Sequence, residues 1–414
     1  MKGSLHDLVS LADVEPDHSN YGSQIDKVFD VLHHCISQTQ PSECLRLIAS
    51  TRFVLAKLHN DGDVSARLSA GFIRIWPSVW KIIKSSCFSL LQQHKVVVGT
   101  RRIVKGEVVA IFRTLCDDRP TMLRMISTPG FSSLIVEIWS MEVDQPDYEP
   151  WDDEQYSSMA VVLDRVSAAL APSDCSSKIG LEQFLGPRVQ DLKSLASTAL
   201  KHLHRAFHRK RPDFDCVIWS THIITIFSTL CEPVRNEFLS QHSVPAVTKI
   251  LVAMTAETPS AEAASLKAKA IEFAFWNLVM LTHSTDGVTW IIQALEAKLM
   301  FALVQCGAWL PHLEDDPSVF IYPFLNKVLP NYTAYRSVLC IIEKYLMRIR
   351  QLGLDSGRSQ DVPLWNAWNT FVELAESRIE ILRLAPGGLL QALERCHNAK
   401  VSLVSSPAIY ICLT

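Results

Sequence analysis

Residues 201–211 form the densest group of side chains in this chain that could bind a charged ligand or a metal. They read Lys-His-Leu-His-Arg-Ala-Phe-His-Arg-Lys-Arg. The basic members are Lys201, Arg205, Arg209, Lys210 and Arg211. Helix positions four apart lie on one side, so the first three are expected to form a strip, with His204 and His208 as a neighbouring pair.

These side chains allow four interpretations, one of which is docking of the basic strip against the acidic segment at 142–154. Two imidazoles one helical turn apart could hold a metal ion, but no carboxylate or thiol nearby completes a tetrahedral set. The five basic residues could instead contact phosphates or an acidic peptide, which makes them the candidate partner-binding residues. The simplest interpretation is a solvated helix end, because cations near a helix C-terminus stabilise its dipole.

The spacings that common catalytic sites require are missing from the sequence. We find no Gly-x-x-x-x-Gly-Lys phosphate loop, Gly-x-Gly-x-x-Gly turn, Gly-x-Ser-x-Gly elbow or His-Glu-x-x-His zinc helix. We therefore predict no catalytic and no cofactor-binding residues, and a protein that is not an enzyme. A helical enzyme whose site is assembled from distant residues is the alternative.

The composition indicates a folded protein with no general affinity for polyanions. Of 414 residues 48% are hydrophobic, and the net charge is −3 with a pI near 6.5. This charge gives no overall attraction to nucleic acid or to anionic membranes, so a protein or peptide partner is favoured over nucleic acid. The first residues lack the apolar segment of a secretory signal, so a cytoplasmic or nuclear location is expected.

Cysteine usage and the longest uncharged segment both indicate buried helices. The eleven cysteines include no Cys-x-x-Cys pair. Several lie in apolar helical runs and are predicted to be buried free thiols, namely Cys35, Cys44, Cys116, Cys231 and Cys340. Residues 216–231 carry no charged side chain but are too few to span a membrane, so they predict a buried helix.

Apolar residues recur at helical spacing along the chain, and strand-like alternation never persists. The helices are expected to be amphipathic, with breaks marked by Gly, Pro or short polar runs. Aromatic groups such as Phe273, Phe275 and Trp276 could be ligand platforms, but their spacing favours core packing.

An internal repeat organises these helices. Ile-Phe-Arg-Thr-Leu-Cys at 111–116 returns as Ile-Phe-Ser-Thr-Leu-Cys at 226–231, and each copy precedes a polar break, a short helix and a longer apolar helix. A fainter third copy spans 276–281 and is followed by Gly287 and a predicted helix at 288–304. The order matches the three-helix armadillo unit, whereas chance similarity of two amphipathic helices is the alternative. We predict an all-α, armadillo- or HEAT-like α-solenoid (alpha-alpha superhelix) that acts as a protein-interaction scaffold.

The predicted organisation has five parts. They are a flexible N-terminus at 1–22, the solenoid at 23–350 with an exposed acidic loop at 142–154, a linker at 351–361, C-terminal helices at 362–396 and a tail at 397–414. The acidic loop holds seven carboxylates, no basic residue and two prolines. The C-terminal helix carries a heptad-like stripe formed by Trp365, Trp368, Val372, Ala375, Ile379 and Leu382.

Residues 389–400 read Leu-Leu-Gln-Ala-Leu-Glu-Arg-Cys-His-Asn-Ala-Lys. This segment resembles the point where fungal MYND-type zinc-finger proteins pass from a long helical region into the finger. The resemblance implies a zinc-binding adaptor whose finger is missing or truncated here. Only Cys396 could stand at the first ligand position, and Val401 replaces a second cysteine, whereas each zinc site needs four ligands. Zinc is therefore expected only in a longer product, and Cys396-His397 can equally be an ordinary helix end.

Overall fold

The computed structural model describes residues 29–30, 62–92, 98–144, 158–170, 191–259, 264–283, 287–314, 316–354 and 362–384. These residues form helices and turns and include no strand, so the predicted all-α class is confirmed for this part of the chain. The predicted segments 1–22 and 397–414, the helices predicted between 31 and 61, and Cys396 lie outside the described residues.

The chain divides into two units. One comprises Met1–Leu170 and Glu182–Val189, and the other Ala171–Leu181 and Gln190–Thr414. The helices of unit 1 are α1 Gly62–Gln92, α2 Val98–Cys116, α3 Arg119–Ile126, α4 Phe131–Asp144 and α5 Met159–Leu170. Those of unit 2 are α6 Leu192–Phe207, α7 Phe214–Leu230, α8 Glu232–Ser240, α9 Ser243–Ala256, α10 Ala264–His283, α11 Val288–Glu296, α12 Leu299–Gln305, α13 Pro317–Phe320, α14 Leu329–Tyr332, α15 Arg336–Gln351 and α16 Val362–Leu384. A π-helical turn, Phe324–Val328, leads into α14.

Aspartate side chains begin three of these helices. Asp118 accepts a hydrogen bond from the backbone N–H of Thr121, 2.9 Å away, at the start of α3. Asp191 and Asp213 cap α6 and α7 in the same way at 3.0 Å. Each cap satisfies an amide that the helix leaves without an internal partner, which typically stabilises a helix by about 1 kcal/mol.

The core of unit 1 is built around aromatic rings from three helices. Trp76 of α1 lies 5.8 Å from Phe131 of α4, and Phe131 lies 5.2 Å from Phe112 of α2. All three side chains are buried. The indole N–H of Trp76 donates to Thr128 Oγ1 at 2.8 Å, so its polar group is satisfied. Edge-to-face contacts of this kind fix the packing of the three helices.

The helix order predicted from the internal repeat is present in both units. The copy at 111–116 ends α2 and is followed by short α3 and longer α4, whereas the copy at 226–231 ends α7 and is followed by short α8 and longer α9. The third copy departs from the prediction, because the helix expected at 288–304 is divided into α11 and α12. Lys298 adopts a φ of 75° there. This left-handed residue changes the chain direction between α11 and α12, which both pack on α9 and α15.

Two rows of helices form unit 2. In the first row α6 packs on α9, α9 on α12, and α12 on α15. In the second row α7 packs on α10, α10 on α13 and the π turn, and that region on α16. The rows contact each other through the pairs α6–α7, α9–α10 and α15–α16. The segment predicted as a buried helix, 216–231, lies in α7 and is largely buried between these neighbours, as expected.

Two predicted boundaries and one predicted buried stripe need correction. Residues 142–144, predicted to belong to an exposed loop, end α4, and Glu142 is buried. The rest of the acidic segment, 145–154, lies outside the described residues. Gln351, predicted to begin a linker, ends α15 instead. In α16 the buried stripe follows Phe371 as well as Trp368, Ala375 and Ile379, while Trp365, Val372 and Leu382 are only half-buried.

Candidate functional site

The basic run at 201–211 is only partly helical. Helix α6 ends at Phe207, and His208 caps it by donating its backbone N–H to His204 O at 3.0 Å. Lys201 is exposed and Arg205 half-buried on the helix, but Arg209 lies beyond it and forms an ion pair with Asp213 at 2.9 Å. The predicted helical strip therefore does not include Arg209, because its guanidinium is drawn to the aspartate that caps α7.

The remaining members of the run leave positive charge at the surface. Lys210 and Arg211 are exposed in the turn between α6 and α7. Together with Lys201 and Arg205 they place cations around the C-terminal end of α6, where they offset the negative end of the helix dipole. The structure brings these residues to one end of a helix, which suits both a solvated helix end and a contact with an acidic partner.

The two histidines of the run face each other. The rings of His204 and His208 lie 4.2 Å apart. Partial burial, and then the neighbouring His208, lower the pKa of His204 from its ordinary value of 6.5. Within the described ranges no group of three His, Cys, Asp or Glu side chains is placed to hold a metal ion.

An aromatic cluster joins α7 and α10, and its α10 rings are half-exposed whereas His222 of α7 is buried. His222 of α7 packs against Phe273 and Trp276 of α10, with ring centroids 5.0 and 5.5 Å apart. Phe273 and Trp276 are half-buried, whereas Phe275 is buried against Phe324 at 6.1 Å. The expectation of core packing therefore holds for Phe275 only. We call His222, Phe273 and Trp276 the aromatic face.

Buried polar atoms lie beside the aromatic face. Asn277 of α10 donates from Nδ2 to Thr225 Oγ1 of α7 at 2.8 Å, which ties the two helices together. Among the described residues, Oδ1 of Asn277 and Nε1 of Trp276 have no hydrogen-bond partner. Such groups cost free energy unless a ligand or water satisfies them. Both atoms are buried, so they lie within the packing of α7 and α10.

Sequence reasoning missed His222 as part of this surface. A single histidine in an apolar helix gave no signal, because its neighbours on α10 are far away in the sequence. The internal repeat gave an indirect indication. Its second copy ends at 231 and its third at 281, and equivalent helices of successive repeats pack side by side in a solenoid, as α7 and α10 do.

Lys267 is held in a box of aromatic and acidic groups on the other side of α10. Its Nζ lies 5.1 Å from the ring centroid of Trp309 and 5.8 Å from that of Phe214, and it forms an ion pair with Glu257. Trp309 also donates its indole N–H to Glu257 O at 3.1 Å. Lys267 is 5% exposed and fills the space between these groups. The box therefore stabilises the fold and has no room for a ligand cation.

The described cysteines differ in exposure. Cys116 and Cys231 are buried free thiols, as predicted, but Cys340 is exposed on α15, so the prediction of burial is wrong there. The buried face of α15 is formed by Val338, Leu339, Ile342, Leu346 and Ile349. Cys340 falls outside that stripe, although its neighbours in the sequence are apolar.

Cys340 should react with iodoacetamide in the native protein much faster than Cys116. Burial raises the pKa of the Cys116 thiol to about 12, an effect that Asp117 adds to and Arg165 opposes. At about pH 8 only on the order of one Cys116 thiol in 10,000 would be ionised, and the thiolate is the reactive form. Mass spectrometry of timed labelling measures both sites. Equal rates in folded protein would contradict the prediction, and equal rates in urea are the control.

Comparisons with family models, with curated proteins and with solved structures find no match to this chain. Within the described residues no individual helix has the length and apolarity to cross a membrane, although α11 together with Leu299–Ala308, bent by 67°, passes the same test as a pair.

Proposed function

We propose that the chain is a non-enzymatic interaction scaffold, built as an armadillo- or HEAT-like α-solenoid, which binds a protein or peptide partner in the cytoplasm or nucleus. The two-row packing of unit 2 carries this proposal. Each row grows by stacking a helix on the previous one, which is how solenoids bury their cores and leave extended surfaces open. The order of long, short and longer helices around each copy of the repeat supports the same architecture.

The aromatic face supports the choice of a protein partner. Tyr, Trp and other ring side chains that are half-exposed and held rigidly are enriched at protein interfaces. Phe273 and Trp276 meet these conditions on the second row, and buried His222 contacts both rings from α7. A peptide that lies across α7 and α10 would cover the exposed parts of Phe273 and Trp276.

Site-specific photocrosslinking tests the proposal. With p-benzoylphenylalanine in place of Phe273, we expect a discrete crosslinked partner in cell extract, and excess untagged wild-type protein should suppress it. A Phe273→Glu competitor that keeps the native circular dichroism spectrum should not suppress it. The same photoprobe at Asn236, exposed on short α8, is the matched control. Equal crosslinking at both positions, or none at Phe273, would contradict a binding role for this face.

Two other interpretations stay predictions from the sequence. The zinc-binding MYND-type adaptor depends on Cys396 and on residues beyond it, and the unrecognised helical enzyme depends on residues that no spacing identifies. None of the described residues favours either one.

A further inference from the structure

The fold concentrates positive charge on the first row of unit 2. Helix α6 carries three Lys or Arg residues, α9 carries one, α15 carries four and α12 carries none. The one carboxylate on these four helices is Glu343. On the second row, α7 and α10 carry two lysines and two carboxylates. We call this first row the basic row. Since the whole chain has a net charge of −3, the excess of positive charge there results from the fold and not from the composition.

The cations of the first row are accessible. The exposed ones are Lys193 and Lys201 on α6, Lys249 on α9, and Arg336, Lys344, Arg348 and Arg350 on α15. Helix α9 packs on α6, α8, α10, α11 and α12, and Lys249 is exposed on the part of its surface that these helices leave uncovered. Lys249, Lys344 and Arg348 form no ion pair with a carboxylate of the described residues. Glu343 is paired with Arg383 of α16, and Arg350 is paired with Glu376 of the same helix, so Lys249, Lys344 and Arg348 carry the charge available for a partner.

Exposed apolar side chains lie among these cations. Met347 is 49% exposed and Leu352 52% exposed, and both are within one helical turn of Arg348. A surface designed only for solubility would place polar groups here, whereas a contact surface combines apolar area with charge of one sign. The first row therefore combines positive charge and exposed apolar area on neighbouring positions of α15.

The dimensions suit an extended peptide. Packed helices lie about 8–10 Å apart, so the three steps from α6 to α15 span about 25–30 Å. An extended chain advances about 3.3 Å per residue, so about nine residues would cover the row.

We propose that the first row binds an acidic polypeptide segment that contains apolar residues. This inference rests on the proposed scaffold function and names its partner class. Nucleic acid is less suited, because the cations are spread over about 25–30 Å with few per helix and so neutralise few phosphates. The apolar side chains on α15 have no counterpart in a phosphate backbone.

Fluorescence anisotropy with a labelled peptide of about 12 residues, rich in Glu and Asp with two leucines, tests this inference on the full chain. Lys344→Glu with Arg348→Glu should weaken binding at least about tenfold, since two attractions become repulsions. Lys81→Glu with Lys84→Glu changes the net charge equally at two exposed positions of α1 and should leave the affinity within about twofold. Lys249→Glu should have an intermediate effect.

Several outcomes would overturn the inference. One is equal affinity for a peptide with Gln and Asn in place of Glu and Asp. Another is tighter binding of single-stranded DNA or of phosphatidylserine vesicles than of the acidic peptide. The third is an equal loss of affinity in the two double variants. If the acidic peptide fails while Phe273 still captures a competable partner, the basic row is wrong and the scaffold function stands. If both fail, the scaffold function is wrong as well.

Discussion

Replacing Glu142 by alanine should lower the free energy of unfolding of unit 1 by about 3–5 kcal/mol, the cost of removing one member of a buried ion pair. The Glu142 carboxylate is 1% exposed and lies 3.0 Å from Lys105 Nζ, whose side chain is 14% exposed. It also accepts hydrogen bonds from Ser158 Oγ at 2.6 Å and from the backbone N–H of Met159 at 2.9 Å. One carboxylate therefore joins the end of α4, the beginning of α5 and a lysine of α2.

The loss arises because the substitution leaves the lysine and the amide buried without their acceptor. Urea unfolding is monitored by hydrogen exchange in peptides from α4 and α5, which measures the change in the free energy of unfolding of unit 1 separately from that of unit 2. Glu137→Ala, half-buried on the same helix, is the matched control and should cost no more than about 0.5 kcal/mol. Glu142→Leu combined with Lys105→Met should recover part of the loss, because an apolar pair leaves no buried charge. A cost below about 1 kcal/mol for Glu142→Ala would show that the pair is solvated.

The Trp309→Ala substitution should destabilise unit 2 by about 3–5 kcal/mol, the range for removal of a buried tryptophan ring. Trp309 is 1% exposed, and its ring lies 5.1 Å from the ammonium group of Lys267. The change leaves a cavity and removes one of the two rings that compensate for burial of the Lys267 charge. It also removes the indole donor to Glu257 O.

Two variants separate the cavity from the cation contact. Trp309→Phe keeps a ring near Lys267 and should cost less than Trp309→Ala, whereas Lys267→Met keeps the aliphatic stem and removes the charge. If the box depends on the cation, Trp309→Ala should cost less in the Lys267→Met background than in the wild type, as a double-mutant cycle measures. Equal costs in both backgrounds would assign the whole effect to packing.

Within the described residues, helical periodicity correctly predicted an all-α class, because each apolar stripe is a local property of the sequence. The ends of α2 and α7 and the helices that follow them agree with the internal repeat. The break at Lys298 could not be predicted, since a left-handed residue is usually Gly or Asn and lysine gives no such signal.

Features that depend on distant partners were also beyond local reasoning. Glu142 belongs to an acidic run and was assigned to an exposed loop, but Lys105 of α2 and the start of α5 make its burial favourable. The aromatic face needs α7 beside α10, and the basic row needs four helices brought together. Of the candidate site, the sequence revealed the cations at 201–211, and the fold added Lys249, Lys344 and Arg348.

The two-row packing of unit 2 also has a consequence for how it folds. Helices that stack in a row are separated by a limited length of chain, as for Thr225 and Asn277, which are 52 residues apart, so no packed pair requires a loop that spans the whole unit. We expect folding to start in any stable group of adjacent helices and to extend outward in either direction, without a single obligatory nucleus. Removal of α15 and α16 should then shorten the unit and leave the helices near α6 and α7 protected from hydrogen exchange.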